Sequence, residues 1–60
     1  MKFEELVKTL DGDIWVEIYS AVGDIVHNGK LKDLKYMPDR VMRIVPQSTS
    51  RQLYLEIYVY

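Results

Sequence analysis

Residues 53–60 read Leu-Tyr-Leu-Glu-Ile-Tyr-Val-Tyr, and this stretch decides the fold class. Aliphatic side chains alternate strictly with tyrosine or glutamate, and a period of two is typical of a β-strand. We therefore predict a strand at about residues 52–60 with two unlike faces. The aliphatic face carries Leu53, Leu55, Ile57 and Val59, and the opposite face carries Tyr54, Glu56, Tyr58 and Tyr60.

The middle of the chain supplies three further strands. Residues 14–19 repeat the alternation and are predicted to form the first strand of the chain. The pattern predicts the second strand at 25–31 and the third at 40–45, so the strand at 52–60 is the fourth. Pro46 is expected to close the third strand, because proline has no N–H to donate to a ladder. Residues 28–29, Asn-Gly, form either a type I′ turn or a bulge within the second strand, and the weak strand pattern after them favours the bulge.

The first ten residues have the spacing of an amphipathic helix. Their apolar side chains recur at i, i+3, i+4 and i+7, and the charged side chains take the other side. The pair Asp11-Gly12 ends the helix, since glycine adopts the left-handed conformation without steric cost. Residues 30–36 show one more helical spacing, which indicates a single turn or a crossing loop. The apolar stripe of the first helix is Phe3, Leu6, Val7 and Leu10.

These elements predict a single α+β domain over residues 1–60. The N-terminal helix is expected to pack on one face of a four-stranded antiparallel sheet, over the aliphatic side chains of the strands. The alternative is a small SH3-like barrel, in which the sheet curls behind an N-terminal helix. The residue pattern leaves both arrangements open, because it indicates which side chains share a face but not the order of the strands.

The composition excludes several classes of protein. The chain has 60 residues and no cysteine, so it has neither a disulfide framework nor a thiolate metal site. So short a chain has little room for an enclosed pocket, and we expect no small-molecule substrate. Its apolar runs are far shorter than the roughly 20 residues that cross a bilayer, and no signal peptide is evident. We therefore expect a cytoplasmic protein without a membrane partner.

The sequence contains no recognisable group of catalytic residues. The serines fall in predicted loops, and His27, the one histidine, is expected within a strand. Residues 11–13, Asp-Gly-Asp, resemble the start of a calcium loop, but Trp15 and Val22 occupy its fifth and twelfth positions. We predict a protein that is not an enzyme and that has no catalytic, cofactor-binding or metal-binding residues.

The sheet face opposite the helix is predicted to be aromatic. A one-sided antiparallel sheet normally carries charged and small polar residues there, whereas Trp and Tyr are enriched at the centres of protein interfaces. We therefore predict that this face, or an exposed strand edge, binds another protein or a second copy of the chain, most simply as a homodimer. Aromatic pairs that only stabilise the sheet are the alternative explanation. The candidate interface residues are Trp15, Tyr19, Tyr54, Tyr58 and Tyr60, five of the seven aromatic residues.

Charge is distributed unevenly along the chain. Residues 1–29 contain two basic and six acidic side chains, whereas residues 30–43 contain five basic and two acidic ones. Combined with exposed aromatic rings, a basic segment suggests nucleic-acid binding as an alternative function. The acidic balance of the whole chain and the glutamates of the aromatic face disfavour that alternative, because both repel phosphates. The candidate electrostatic patch comprises Lys30, Lys32, Lys35, Arg40 and Arg43.

Three stretches carry a resemblance to a known group of proteins. They are residues 10–19 (Leu-Asp-Gly-Asp-Ile-Trp-Val-Glu-Ile-Tyr), 29–34 (Gly-Lys-Leu-Lys-Asp-Leu) and 53–58 (Leu-Tyr-Leu-Glu-Ile-Tyr). The chain resembles small uncharacterised α+β proteins encoded by phages, prophages and conjugative elements of Gram-positive bacteria. The resemblance carries over no catalytic or binding residue. It implies a mobile-element accessory protein that acts in the cytoplasm of a bacterial host and binds and inhibits a host factor, such as a defence system.

Overall fold

In the computed structural model, which describes residues 1–60, the chain forms one α-helix, one short 3₁₀ helix and four β-strands. The predicted α+β class is confirmed, and each predicted element is present within a few residues of its expected bounds. The expected left-handed glycine at the end of the first helix is not present: the helix ends at Thr9, Leu10 is extended, and Gly12 has no positive φ. The elements are α1 (Phe3–Thr9), β1 (Trp15–Tyr19), β2 (Ile25–Lys30), the 3₁₀ helix (Leu31–Asp33), β3 (Val41–Ser48) and β4 (Leu53–Val59).

The sheet is mixed, so the prediction of a purely antiparallel sheet is wrong. The strand order is β2-β1-β4-β3, in which β1–β2 and β3–β4 are antiparallel hairpins and the central pair β1–β4 is parallel. In this arrangement β2 and β3 run in the same direction at opposite edges. Residues 31–40 therefore form a crossover that takes the chain from the end of β2 back to the start of β3. Strands that run in the same direction need such a connection. No pairing joins the two edges, so the sheet is open and not the closed barrel of the alternative.

The core joins side chains from the helix, the crossover and the strands. Of the alternate residues of β1 and β4 expected to be buried, Val16, Ile18, Ile57 and Val59 are buried and Leu55 is half-buried. Leu53 departs from the pattern and is 73% exposed, because the pairing of β4 with β1 begins only at Tyr54. The buried cluster consists of Phe3, Leu6, Val16, Ile18, Leu31, Val41, Ile57 and Val59.

Two expectations about the ends and irregularities of the strands are wrong. β3 continues through Pro46 to Ser48, and it does so because it is an edge strand, where a missing N–H is tolerated. The Asn-Gly pair at residues 28–29 lies inside β2, in register with Glu17 and Val16. The irregularity of that hairpin falls instead at Val26, which is the extra residue between the partners of Ile18 and Tyr19.

The start of the chain is held against the start of β3. The backbone N–H of Phe3 donates to the carbonyl of Asp39 at 3.0 Å, and that of Val41 donates to the carbonyl of Met1 at 2.8 Å. An isolated antiparallel bridge pairs Lys2 with Arg40. These bonds anchor the first turn of α1 beside β3, whereas the outer edge of β2 has no such neighbour.

Candidate interaction surface

The central strands place the predicted interface residues side by side. In the parallel register Trp15 lies beside Tyr54, Glu17 beside Glu56, and Tyr19 beside Tyr58. Register partners point to the same side of a sheet, so these pairs form three successive rows on one face. All six side chains are half-buried. We call this set the aromatic face: Trp15, Glu17, Tyr19, Tyr54, Glu56 and Tyr58.

The two outer strands extend the rows of the aromatic face. On β2, Asn28 is the register partner of Glu17, and its Oδ1 accepts a 2.8 Å hydrogen bond from Nε1 of Trp15. On β3, Arg43 is the register partner of Tyr58, and its Cζ atom lies 4.6 Å from the centre of that ring. On the same side of β2, Lys30 is the register partner of Trp15. One polar and two basic side chains therefore flank the aromatic face, Asn28 and Lys30 from one edge and Arg43 from the other.

The tyrosines and glutamates of the aromatic face bond to one another along each strand. The hydroxyl of Tyr19 donates to Oε1 of Glu17 at 2.9 Å, and the hydroxyl of Tyr58 donates to Oε2 of Glu56 at 2.9 Å. The rings of Tyr19 and Tyr58 stack with centroids 5.2 Å apart and an angle of 20° between planes. Two identical tyrosine–glutamate units thus stand next to each other, joined by their rings.

The centre of the aromatic face is negatively charged. Glu17 and Glu56 are direct neighbours, and like charges opposite one another on adjacent strands are destabilising. The one ion pair of the structure lies elsewhere, so neither carboxylate of this pair forms an ion pair within the chain. The hydrogen bond to Glu17, followed by burial and by the charges of both carboxylates, raises the pKa of Tyr19 to about 12. Burial and the same two charges raise the pKa of Tyr54.

The structure brings together four of the five candidate interface residues. Tyr60 is the exception: it follows the last residue of β4, is 72% exposed, and donates its backbone N–H to the carbonyl of Arg40 at 3.2 Å. Sequence reasoning also missed that the two glutamates are neighbours. A signal was present, because residues 15–19 (Trp-Val-Glu-Ile-Tyr) and 54–58 (Tyr-Leu-Glu-Ile-Tyr) follow the same pattern.

The candidate electrostatic patch does not converge on one place. Lys30 lies on β2 and Arg43 on β3, which are the opposite edges of the sheet. The Nζ atom of Lys32 lies 2.9 Å from Oδ1 of Asp13 in an exposed ion pair, which lowers the pKa of Asp13 and raises that of Lys32. The remaining two members, Lys35 and Arg40, are exposed in the crossover.

Sites for small ligands are sparse on this chain. One surface depression of about 220 Å³ is present, and its lining contains none of the candidate site residues. No group of three or more histidine, aspartate or glutamate side chains is placed to hold a metal ion. His27 lies on β2, where its Nε2 is 3.0 Å from the carbonyl of Lys30. The residues lining the depression are Lys2, Glu4, Met37, Pro38 and Asp39.

Comparison with known proteins adds no relative. No family model, curated protein or solved structure matches the chain. The resemblance to proteins of phages and conjugative elements therefore stays a prediction. No helix of the structure has the length and apolar character needed to cross a membrane. The functional argument consequently rests on the geometry of the aromatic face.

Proposed function

We propose that the protein is a non-enzymatic protein–protein interaction module and that it docks through the aromatic face. The supporting observation is the assembly of four aromatic side chains, in register and half-buried, on the two central strands. We further infer that α1 covers the aliphatic side of the sheet, because Phe3 and Leu6 belong to the same buried cluster as Val16 and Ile57. The aromatic face is then the side left for a partner.

The chemistry of the aromatic face suits an interface better than it suits contact with water. Tyrosine and tryptophan supply large contact areas, lose little conformational entropy on binding, and dominate interface hot spots. The stacking of Tyr19 on Tyr58 and the bond from Trp15 to Asn28 hold three of the rings in place before any partner arrives. Such preorganisation lowers the entropic cost of association.

The partner is either a second copy of the chain or another protein, and we propose assembly through this face in both cases. A homodimer is the simplest form, because most soluble oligomers are symmetric pairs. The resemblance to mobile-element proteins supports a wider role as an inhibitor of a host defence factor, acting in the bacterial cytoplasm. No cofactor, small-molecule substrate or membrane contact enters this proposal.

Nucleic-acid binding is the alternative function, and the placement of the basic residues argues against it. A nucleic-acid surface needs basic side chains that follow one phosphate backbone. Here Lys30 and Arg43 lie at opposite edges of the sheet, with the two glutamates of the aromatic face between them. Lys32 is engaged with Asp13. We therefore keep protein binding as the proposed function.

Site-specific photocrosslinking tests the proposal. A benzoylphenylalanine in place of Tyr54 is expected to crosslink the protein to itself when purified, or to another protein in bacterial cells. The matched control carries the same group in place of Tyr36, which is 60% exposed and lies in the crossover, outside the sheet. Absence of crosslinks from position 54, or equal yields from positions 54 and 36, would overturn the proposal.

A further inference from the structure

We propose that the partner presents an arginine side chain and that its guanidinium group docks between Glu17 and Glu56 on the aromatic face. This inference rests on the proposed function and specifies the chemistry of the partner. The occupant is a segment of another protein, with an arginine at its centre and apolar or small residues beside it.

Unbalanced charge is the first reason for this assignment. Glu17 and Glu56 are adjacent and half-buried, they lie between two rows of rings, and neither forms an ion pair within the chain. Two basic residues are in register with the outer rows of the face and neither forms an ion pair with a glutamate: Arg43 places its guanidinium over the ring of Tyr58, and Lys30 lies beside Trp15. The face therefore retains negative charge at its centre, and a cationic partner complements it.

The geometry of the rows is the second reason. Neighbouring strands are about 4.8 Å apart, so the two glutamates rise from the sheet side by side. A guanidinium group is planar and carries five N–H donors in a fork, which suits two carboxylates better than the compact ammonium group of lysine does. Aromatic rows lie before and after the glutamates along the strands, and rings stack favourably with guanidinium. The contact of Arg43 with Tyr58 is an example of that stacking within the chain.

Other occupants fit the same place less well. When two aromatic faces meet centre to centre, the carboxylates of Glu17 and Glu56 approach the same pair of the second copy. Four like charges would then be gathered in one interface, so self-association through this face requires an off-centre contact. A metal ion would find only two carboxylates, and no third histidine, aspartate or glutamate is grouped with them.

Titration of the isotope-labelled protein, followed by nuclear magnetic resonance, tests the inference. The probe is the blocked tripeptide acetyl-Ser-Arg-Ser-amide, and its matched control replaces arginine with citrulline, a neutral group of nearly the same shape. We expect the arginine peptide to shift amide resonances within residues 15–19 and 54–58. The citrulline peptide is expected to bind about tenfold more weakly, which corresponds to about 1.4 kcal/mol. Equal shifts from the two peptides overturn the inference, as does equal binding of a lysine peptide.

Variants of the protein distinguish binding at the aromatic face from nonspecific electrostatic attraction of the peptide to the protein. The double substitution Glu17→Gln with Glu56→Gln keeps an oxygen acceptor for each tyrosine hydroxyl and is expected to abolish the response to the arginine peptide. Its control, Glu4→Gln with Glu5→Gln, removes the same charge from the exposed side of α1 and is expected to retain the response. Equal loss in both variants contradicts a site on the aromatic face. Crosslinks from position 54 without arginine binding would overturn this inference and leave the proposed function standing.

Discussion

The two sides of the strands β1 and β4 differ in what they contribute to the protein. On one side Val16, Ile18 and Ile57 have no solvent exposure at all. On the other, the aromatic face is half-buried and contains a like-charged pair that the fold does not neutralise. The composition of the first side follows from the need to bury apolar surface. Folding alone does not require the charge pair on the second side, and the proposed docking of a partner would give that pair a role.

A cavity in the aliphatic side is expected to have the largest effect on stability. Ile57→Ala removes a fully buried side chain and should lower the free energy of unfolding by about 2–5 kcal/mol. The total stability of a 60-residue chain is roughly 3–9 kcal/mol, so this loss is a large fraction of it and the variant should unfold at a much lower urea concentration. Urea denaturation measures the loss. Val45→Ala, at a half-buried position beside Glu56 on the other side of the sheet, is the control and should cost clearly less. Equal losses would contradict the contrast between the two sides.

Neutralising the aromatic face is expected to change stability in the opposite direction. Glu17→Gln relieves the repulsion from Glu56 and preserves an acceptor for the hydroxyl of Tyr19, so it should raise the free energy of unfolding by roughly 0.2–1 kcal/mol. Added salt should stabilise the wild type more than this variant, because salt screens the repulsion. Denaturation at low and high salt measures both effects. Glu5→Gln, on the exposed side of α1, is the control; a gain of the same size there would assign the effect to net charge alone.

The last effect is confined to alkaline pH. The pKa of Tyr19 is about 12 in the folded protein and about 10 in an unfolded chain. Between these values the unfolded chain has released this proton and the folded chain still holds it, so folding loses stability as pH rises from about 10 to 12. Below pH 10 the contribution is fully present. Tyr19→Phe should flatten this decline, as followed by thermal melts at successive pH values.

Tyr36→Phe serves as the control for the alkaline transition. Its hydroxyl is exposed in the crossover and makes no hydrogen bond to a carboxylate, so the wild-type decline should persist. A decline that is unchanged in Tyr19→Phe would mean that the bond from Tyr19 to Glu17 does not couple this proton to folding.

The sequence was sufficient to predict the two faces of β1 and β4 but not the direction in which the strands run. Alternation assigns Ile18 and Ile57 to one side and Tyr19 and Tyr58 to the other whichever way a strand points. A period of two is identical when read in either direction. The parallel pairing depends on the path of residues 31–40, which have no strong periodicity to reveal it. The prediction that Pro46 ends the third strand was wrong for a related reason. Proline is tolerated there because β3 is an edge strand, and the strand order was not known from the sequence.

The candidate site was also predictable only in part. Five aromatic residues were predicted to share a face, and four of them are register partners on β1 and β4, because side-chain parity alone determines that property. The contact between Glu17 and Glu56 follows from the parallel register, which parity does not determine. The position of Arg43 over Tyr58 depends in addition on the bulge that shifts the register of β3 between Val41 and Arg43. Whether the aromatic face binds a partner stays a prediction.

The parallel pairing of β1 with β4 also bears on the order in which the protein folds. Each hairpin joins neighbouring segments and closes a short loop, whereas Trp15 and Tyr54 lie about 40 positions apart. Closing a longer loop costs more entropy, and non-local strand pairing is slow. We therefore expect the two hairpins to form early and to dock late. Each hairpin alone carries half of every row of the aromatic face, so that face comes into existence only at the final docking step.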